Sequence, residues 1–314
     1  MPKRREERRV GAPVAPRPAQ AAQTVTPQRR EGERRHAVDP LVNRPARAAH
    51  PVTPQRRERR DIADPPVPRG PEGTEMVEGL RAGLAVVERR PEDVRRVLFT
   101  RAVRTEVAAL VRWAGSHRVP CIEASDAEVD RFAQSSHHEG LCVLARPRRW
   151  TAAHDLPDVL RQGRGAAVAL DRVRNPYNVG AILRSAAFFG LDAALLGNPA
   201  PDPGLAPTAV RVAEGGAEAL RLSRTTDLAD TLARLRSGGA LVYGADARAP
   251  TSAFRFVFGR PAVLVVGHER EGLADRVRAA CDELVSIPGS GRVESLNVAV
   301  AAGVLFGAWA TANP

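Results

Sequence analysis

Continuous apolar runs that alternate with helical patterns are the feature of this sequence that most limits its fold. The clearest runs are AAVAL, inside Ala166–Asp171, and AVLVV, inside Ala262–Gly267. Uninterrupted runs of this length are typical of parallel strands that helices cover on both faces. The pattern therefore predicts an α/β domain with a parallel sheet over 166–314. Its predicted strands are Ala166–Asp171, Ala193–Leu196, Ala219–Leu222, Ala240–Gly244, Ala262–Gly267 and Glu283–Ile287, and its predicted helices are Asn178–Phe189, Asp227–Ser237, Leu273–Cys281 and Ser295–Thr311.

A smaller α/β unit is predicted upstream, over 73–147, and the polar residues 148–165 are predicted to link the two units. Ser125, followed three residues later by Glu128, has the spacing of a capping box and predicts a helix through Phe132. The other predicted helices of this unit are Met76–Arg89 and Thr105–Gly115, and its predicted strands are Val94–Thr100, Val119–Glu123 and Gly140–Ala145.

Residues 1–70 differ sharply in composition from the rest of the chain. They hold 17 Lys and Arg against 8 Asp and Glu, which is most of the formal net charge of +11. They contain no aromatic residue except histidine, a single leucine (Leu41) and a single isoleucine (Ile62), and they repeat VTPQRR. Such a segment cannot bury enough apolar surface to offset the entropy of ordering, so 1–72 is predicted to be disordered. It is either a solvated low-complexity tail or an electrostatic arm that adds non-specific RNA affinity.

Several protein classes are excluded by what the sequence lacks. The three cysteines are too widely spaced for a metal pattern or a disulfide framework: Cys121, Cys142 and Cys281. His137 and His138 have no third ligand at metal spacing. The charged N-terminus has no apolar run after it, and the longest apolar stretch, Val298–Ala310, is too short to span a bilayer. The sequence therefore predicts a cytoplasmic protein without a membrane segment and without a bound metal.

Three segments at predicted strand ends are the candidate site: Asp171–Arg184, Gly267–Gly272 and Ile287–Asn297. Ligands of open parallel sheets bind outside the carboxyl ends of the strands. None of the segments contains the dinucleotide pattern GxGxxG, the hydrolase pattern GxSxG or the zinc pattern HExxH. Lys3 is the only lysine, so a standard phosphate loop is also excluded.

Taken together, the three segments resemble the motifs of the SpoU (TrmH) family of RNA 2′-O-methyltransferases, of the SPOUT class. LDRVRNPYNVGAILRSAAFFG is similar to the first motif, with its Asn-x-Gly-x-x-x-Arg core beginning at Asn178. VVGHEREGL, from Val265, is similar to the Gly-x-Glu-x-x-Gly-Leu motif. IPGSGRVESLNVAVAAG, from Ile287, is similar to the closing motif with Ser-Leu-Asn. One motif alone would be weak, whereas three in order at strand ends are specific.

The resemblance implies a fold, a cofactor and an assembly. The fold would be an α/β sheet with a deep trefoil knot, which pattern reasoning alone would not select because knots are rare. The cofactor would be S-adenosylmethionine, and no metal would be needed. The family forms homodimers whose active site is completed across the interface. The upstream unit resembles the RNA-binding domain that many members carry.

The resemblance also implies roles for individual residues. Positioning and activation of the target ribose would fall to Asn178 and Arg184, the polar wall of the site to Glu269, Ser295 and Asn297, and cofactor contacts to Gly267, Ile287 and Leu296. Arg184 would be either the base or a group that binds phosphate and polarises the 2′-hydroxyl. The second role is favoured, because a guanidinium stays protonated in proteins. Ordinary structural roles remain open, such as Asn178 or Asn297 capping a helix and Arg211–Leu220 forming a turn of small residues.

Three functions remain open at this point. The leading one is S-adenosylmethionine-dependent 2′-O-methylation of structured RNA, with ribosomal RNA favoured and transfer RNA the alternative. A second is an RNA-binding ribosome-assembly factor without turnover. A third is methylation of a base rather than the ribose, as in more distant SPOUT proteins.

Overall fold

Two β-sheets organise the part of the chain that the computed structural model describes, residues 73–198 and 205–314. The segment 1–72, predicted to be a disordered basic tail, lies outside the described residues. Within those described ranges, no helix has the length and apolar character needed to cross a membrane.

The first sheet has four strands in the order β1-β4-β2-β3. β4 is antiparallel to both β1 and β2, and β3 lies parallel to β2 at one edge. The capping box at Ser125 is confirmed, because its backbone N–H donates to the Glu128 carboxylate over 2.8 Å. The elements are β1 (Glu75–Glu78), α1 (Leu80–Arg89), β2 (Val94–Thr100), α2 (Ala108–Ser116), β3 (Cys121–Ala124), α3 (Asp126–Ala133) and β4 (Leu141–Ala145).

The helix predicted over Met76–Arg89 is wrong in its first turn. Residues 75–78 form strand β1, in which Val77 pairs with Val143 of β4. Gly79 then takes a positive φ of 104°, and α1 begins only at Leu80. A short apolar segment is compatible with both the helical and the strand periodicity. Here pairing with β4 stabilises the strand.

The second sheet has seven strands in the order β7-β6-β5-β10-β8-β11-β9, and the pairings recorded between them are all parallel. The central strands β5 and β10 are fully buried along their lengths, as their continuous apolar runs predict. The elements are α4 (Leu156–Gln162), β5 (Ala166–Asp171), α5 (Pro176–Phe188), β6 (Ala193–Gly197), α6 (Pro207–Val212), α7 (Gly216–Ala219), β7 (Arg221–Thr225), α8 (Leu228–Ser237), β8 (Leu241–Ala245), β9 (Thr251–Ser252), β10 (Ala262–Val266), α9 (Asp275–Ala279), β11 (Glu283–Ser286) and α10 (Val298–Ala312).

Short helices account for the main differences from the predicted elements of this sheet. The strand predicted over Ala219–Leu222 is wrong at its start, because Ala219 ends helix α7 and β7 begins at Arg221. Helix α6 was not predicted, nor was α4, which lies in the predicted linker and buries Leu156 and Leu160 one turn apart. Helices of four to seven residues give too few repeats for a periodic pattern to be read.

A buried cluster of charges joins the first sheet to the second. Glu218, at the end of α7, accepts from Arg90 over 2.9 Å and from Arg148 over 3.1 Å. Both arginines also pair with Glu75 of β1. The side chains of Arg90, Arg148 and Glu218 are only 10, 8 and 5% exposed. One hydrophobic core cluster runs through both sheets beside these pairs, with Val143 and Leu183 among its members.

Candidate active site

The three strand-end segments meet through one chain of hydrogen bonds. The Nδ2 of Asn178 donates to Oε1 of Glu269 over 2.6 Å, and the Nδ2 of Asn297 donates to Oδ1 of Asn178 over 3.1 Å. These residues follow β5, β10 and β11, and they are 91 and 119 positions apart along the chain. Parallel strands place their carboxyl ends at one edge of the sheet, which is how these distant residues meet.

Helix α5 presents Asn178 to this edge because a different residue caps the helix. Asn175 is the N-cap, and its side chain accepts from the Tyr177 N–H over 2.9 Å. Pro176 occupies the first helical position, where its missing N–H costs nothing. The suggestion that Asn178 caps this helix is therefore wrong. Its amide is instead free to bridge Glu269 and Asn297.

Asn297 has two tasks at once. Its Oδ1 accepts from the Ala299 N–H over 2.9 Å and so caps α10. The predicted capping role of Asn297 is therefore confirmed. Its Nδ2 is then left to face Asn178. Since the Glu269 carboxylate can only accept when ionised, each amide in the chain has one consistent orientation. Along the chain of hydrogen bonds, Asn297 donates to Asn178 and Asn178 donates to Glu269.

A second set of contacts fixes the loop after β10 against the end of β5. The buried Asp171 carboxylate accepts from the Ala274 N–H over 2.7 Å. Arg172, in a left-handed conformation with φ 58°, donates to the Gly272 carbonyl over 3.1 Å and pairs with Glu271. Sequence reasoning did not single out Asp171 or Arg172. A carboxylate at the end of a buried strand was the available signal.

The predicted cofactor residues border the same edge. Gly267 follows β10, and a Cβ placed there would lie 2.4 Å from the backbone carbon of Gly272, so only glycine fits the loop. Ile287 follows β11 and is partly buried. Leu296 is 44% exposed, and Ser295 beside it is exposed. Among the described residues, no group of three or more His, Cys, Asp or Glu side chains is arranged to hold a metal ion.

Arg184 is not bonded to the Asn178–Glu269–Asn297 chain. It lies nearly two turns further along α5, where its Nη1 donates to Oε1 of Glu214 over 2.7 Å. Glu214 sits in the turn between α6 and α7, within the segment that sequence analysis left open as a turn of small residues. Sequence reasoning missed Glu214, although the two glycines that follow it mark a tight turn.

Comparison with known proteins supports both halves of the described chain. A family model described as the SpoU rRNA Methylase family matches residues 165–307. A second, described as RNA 2′-O ribose methyltransferase substrate binding, matches residues 76–151. The two matched segments correspond to the second and first sheets.

A bacterial relative decides the family. The 23S rRNA (guanosine-2′-O-)-methyltransferase RlmB of Salmonella typhimurium is 33% identical over 233 residues, which cover 74% of this chain and 96% of the relative. The chain belongs to the SpoU family of RNA methyltransferases. The uncharacterized tRNA/rRNA methyltransferase YfiF of Escherichia coli O157:H7 is also 33% identical, over 80% of this chain and 72% of that protein.

Solved SpoU structures agree with the described fold. The SpoU methyltransferase AviRb from Streptomyces viridochromogenes, in complex with AdoMet, superposes with a TM-score of 0.63 at 26% identity. The match covers 76% of this chain and 90% of AviRb. A TrmH-family protein from Porphyromonas gingivalis gives a TM-score of 0.59 at 27% identity, covering 76% and 90%. The predicted α/β class with a parallel sheet is confirmed.

Proposed function

We propose that this SpoU protein methylates the 2′-hydroxyl of a ribose in structured ribosomal RNA. The chain is an S-adenosylmethionine-dependent RNA 2′-O-methyltransferase, as its family and its RlmB relatives show. The observation that carries the assignment is the hydrogen-bonded meeting of Asn178, Glu269 and Asn297 at one edge of the sheet. The choice of ribosomal RNA rests on the relatives named for 23S rRNA, and transfer RNA is the alternative substrate.

The residues at this edge fit S-adenosylmethionine. The cofactor supplies an activated methyl group on a sulfonium, which is already a good leaving group. Gly267 lets the loop after β10 close tightly on Gly272, which leaves backbone groups rather than a side chain at this position. Leu296 offers exposed apolar surface, and Ile287, at the end of β11, is partly buried. We therefore assign Gly267, Ile287 and Leu296 to cofactor binding.

The polar residues then serve the ribose. Asn178, Glu269 and Asn297 hold one another in fixed orientations, which is how an enzyme positions a hydroxyl without reorganising during the reaction. Ser295 is exposed and lies two residues before Asn297, and we assign it to the polar wall of the site. A guanidinium can grip a phosphate with two parallel hydrogen bonds, so we assign Arg184 to binding an RNA phosphate and polarising the 2′-hydroxyl.

Three further features are part of the proposal. After β11 the chain returns across β10 to pack α10 against α5, which supports a trefoil knot. Exposed apolar side chains on these helices, Phe188 at 81% and Val300 at 54%, support a homodimer interface.

We place the protein in the cytoplasm, where its RNA substrate is found. The segment 1–72 would act as the electrostatic arm, and 73–147 as the RNA-binding domain before the linker 148–165.

Mapping of 2′-O-methyl sites across total RNA, with and without this protein, tests the substrate. We expect one ribosomal site to lose its methyl group on deletion and to regain it with the wild-type gene but not with Arg184→Ala. A lost site in transfer RNA would select the alternative substrate. An unchanged map, together with no S-adenosylmethionine binding in calorimetry, would favour the assembly factor without turnover.

A further inference from the structure

Glu214 combines an unusual backbone conformation with a contact to the candidate active site. Its φ is +46°, in the left-handed region that residues with a Cβ rarely occupy. Its carboxylate accepts from Arg184 Nη1 over 2.7 Å. Such conformations cost stability and cluster at functional sites, and Glu214 is the one that carries the ion pair with Arg184.

Close backbone contacts hold the turn that carries Glu214 against helix α5. A Cβ on Gly216 would lie 2.7 Å from the Leu183 carbonyl and 3.0 Å from Cα of Arg184. A Cβ on Gly180 would lie 2.6 Å from the carbonyl of Ala209 in α6. Both positions admit only glycine, so the distance between the turn and Arg184 is fixed by backbone packing and not by the ion pair.

Stability does not explain the pair. The side chains of Arg184 and Glu214 are 57% and 41% exposed, and ion pairs in this setting contribute little to folding. Arg184 has no other polar partner among the described residues. One Nη of its guanidinium is therefore occupied, and its Nε and second Nη remain available.

We propose that Glu214 is a positioning residue for methyl transfer, which orients Arg184 so that its free N–H groups face the RNA. This inference rests on the proposed function. The carboxylate fixes the guanidinium plane before RNA binds, because a long arginine side chain at the surface otherwise samples many rotamers. Because Glu214 acts through Arg184, its removal should lower the rate constant for methyl transfer in the enzyme–RNA complex more than the affinity for RNA.

The test compares the variants Glu214→Gly and Glu214→Gln with Asp230→Ala in the full chain. Glycine relieves the left-handed strain and removes the carboxylate, whereas glutamine keeps an acceptor of the same length. Asp230, on α8, forms a similarly exposed pair with Arg234 over 2.9 Å, so Asp230→Ala is the control for loss of an exposed ion pair alone.

With methylated RNA as the readout, we expect Glu214→Gly to lower kcat about tenfold. Its KM for RNA and its S-adenosylmethionine affinity should change less than threefold, and its Tm should not fall. Glu214→Gln should recover part of the rate, and Asp230→Ala should keep the wild-type kcat. Adding Glu214→Gly to Arg184→Ala should cause no further loss, because the two residues act as a unit.

A wild-type kcat in Glu214→Gly would overturn the positioning role while leaving the proposed function intact. A kcat loss that Asp230→Ala reproduces would also overturn it. Absence of RNA methylation by the wild-type protein would instead contradict the proposed function, so the two failures can be told apart.

Discussion

Two glutamates four residues apart, Glu214 and Glu218, pair with arginines in opposite surroundings. Glu214 is 41% exposed and holds Arg184, which is 57% exposed, beside the candidate active site. Glu218 is 5% exposed and holds Arg90 and Arg148, each no more than 10% exposed, between the two sheets. The same pair of side-chain types thus occurs in the turn after α6 and in the helix α7 that follows it.

The difference in exposure indicates a different role for each ion pair. Water screens the exposed pair, so it adds little stability and its carboxylate is explained by orientation of Arg184. The buried charges are removed from water, and each needs its partners to remain tolerable. The turn between α6 and α7 therefore carries the residue that we propose orients Arg184, and helix α7 after it carries the residue that holds the two sheets together.

Removal of Glu218 should have the largest effect on stability. Glu218→Ala leaves two buried guanidiniums short of a partner, and we expect the free energy of unfolding to fall by about 3–5 kcal/mol. Glu214→Ala is the matched control and should change it by no more than about 1 kcal/mol. Urea unfolding followed by circular dichroism measures both. Equal losses in the two variants would refute the contrast.

A smaller loss of stability is expected for a substitution that pushes the turn between α6 and α7 away from α5. Gly216→Ala places a methyl group 2.7 Å from the Leu183 carbonyl, and we expect a cost of about 1–3 kcal/mol. Gly115→Ala is the control, because a Cβ at that helical position meets nothing within 4 Å. The control should be neutral or stabilising by up to about 1 kcal/mol. An unaltered unfolding curve for Gly216→Ala would show that the backbone contact is not tight.

The coupling free energies of the two ion pairs, measured by double-mutant cycles, should differ in their dependence on salt. We expect a coupling free energy of about 0.5 kcal/mol between Arg184 and Glu214 at low salt. It should disappear in 1 M NaCl, where the Debye length is about 3 Å. The coupling between Arg148 and Glu218 should be about 2 kcal/mol and nearly independent of salt. Equal salt dependence in the two cycles would contradict the difference in burial.

The smallest effect concerns two cysteine thiols, Cys142 in strand β4 and Cys281 just after helix α9. Burial, with Glu78 nearby, raises the pKa of Cys142 to about 12, and burial, with Asp282 nearby, raises that of Cys281 to about 12. Because the thiolate is the reactive form, we expect negligible reaction of these two thiols with Ellman's reagent at pH 8 in a Cys121→Ser variant, which removes the third free thiol, and a rate that rises with pH.

The thiols also report on the junction between the sheets. In Glu218→Ala, both should react faster in proportion to the unfolded fraction, and in Glu214→Ala neither should change. Rapid labelling of Cys142 in the native wild-type protein at pH 8 would contradict the buried environment.

Sequence patterns predicted the long, strongly patterned parts of this fold. The runs in β5 and β10 are buried on both faces, so composition alone identifies them. The convergence of Asn178, Glu269 and Asn297 was also predictable, because parallel strands end at a common edge. Helices α4, α6 and α7 were not, since elements this short depend on tertiary packing.

Glu214 was beyond sequence reasoning for a physical reason. A glutamate in a polar turn has no propensity signal for a left-handed conformation, and the packing of Gly216 on α5 becomes visible only in the structure. The pairing with Arg184 joins residues 30 positions apart across that contact. Asp171, in contrast, ends a buried strand and could have been selected from the sequence.

The most direct test of the central claim is the position of the transferred methyl group. RNA incubated with the protein and methyl-labelled S-adenosylmethionine is digested to nucleosides, and the products are analysed by mass spectrometry after glycosidic cleavage. The account predicts that the label stays on the sugar as a 2′-O-methyl group and is lost with Arg184→Ala. Label on the free base, or no label although both RNA and S-adenosylmethionine bind, would contradict it.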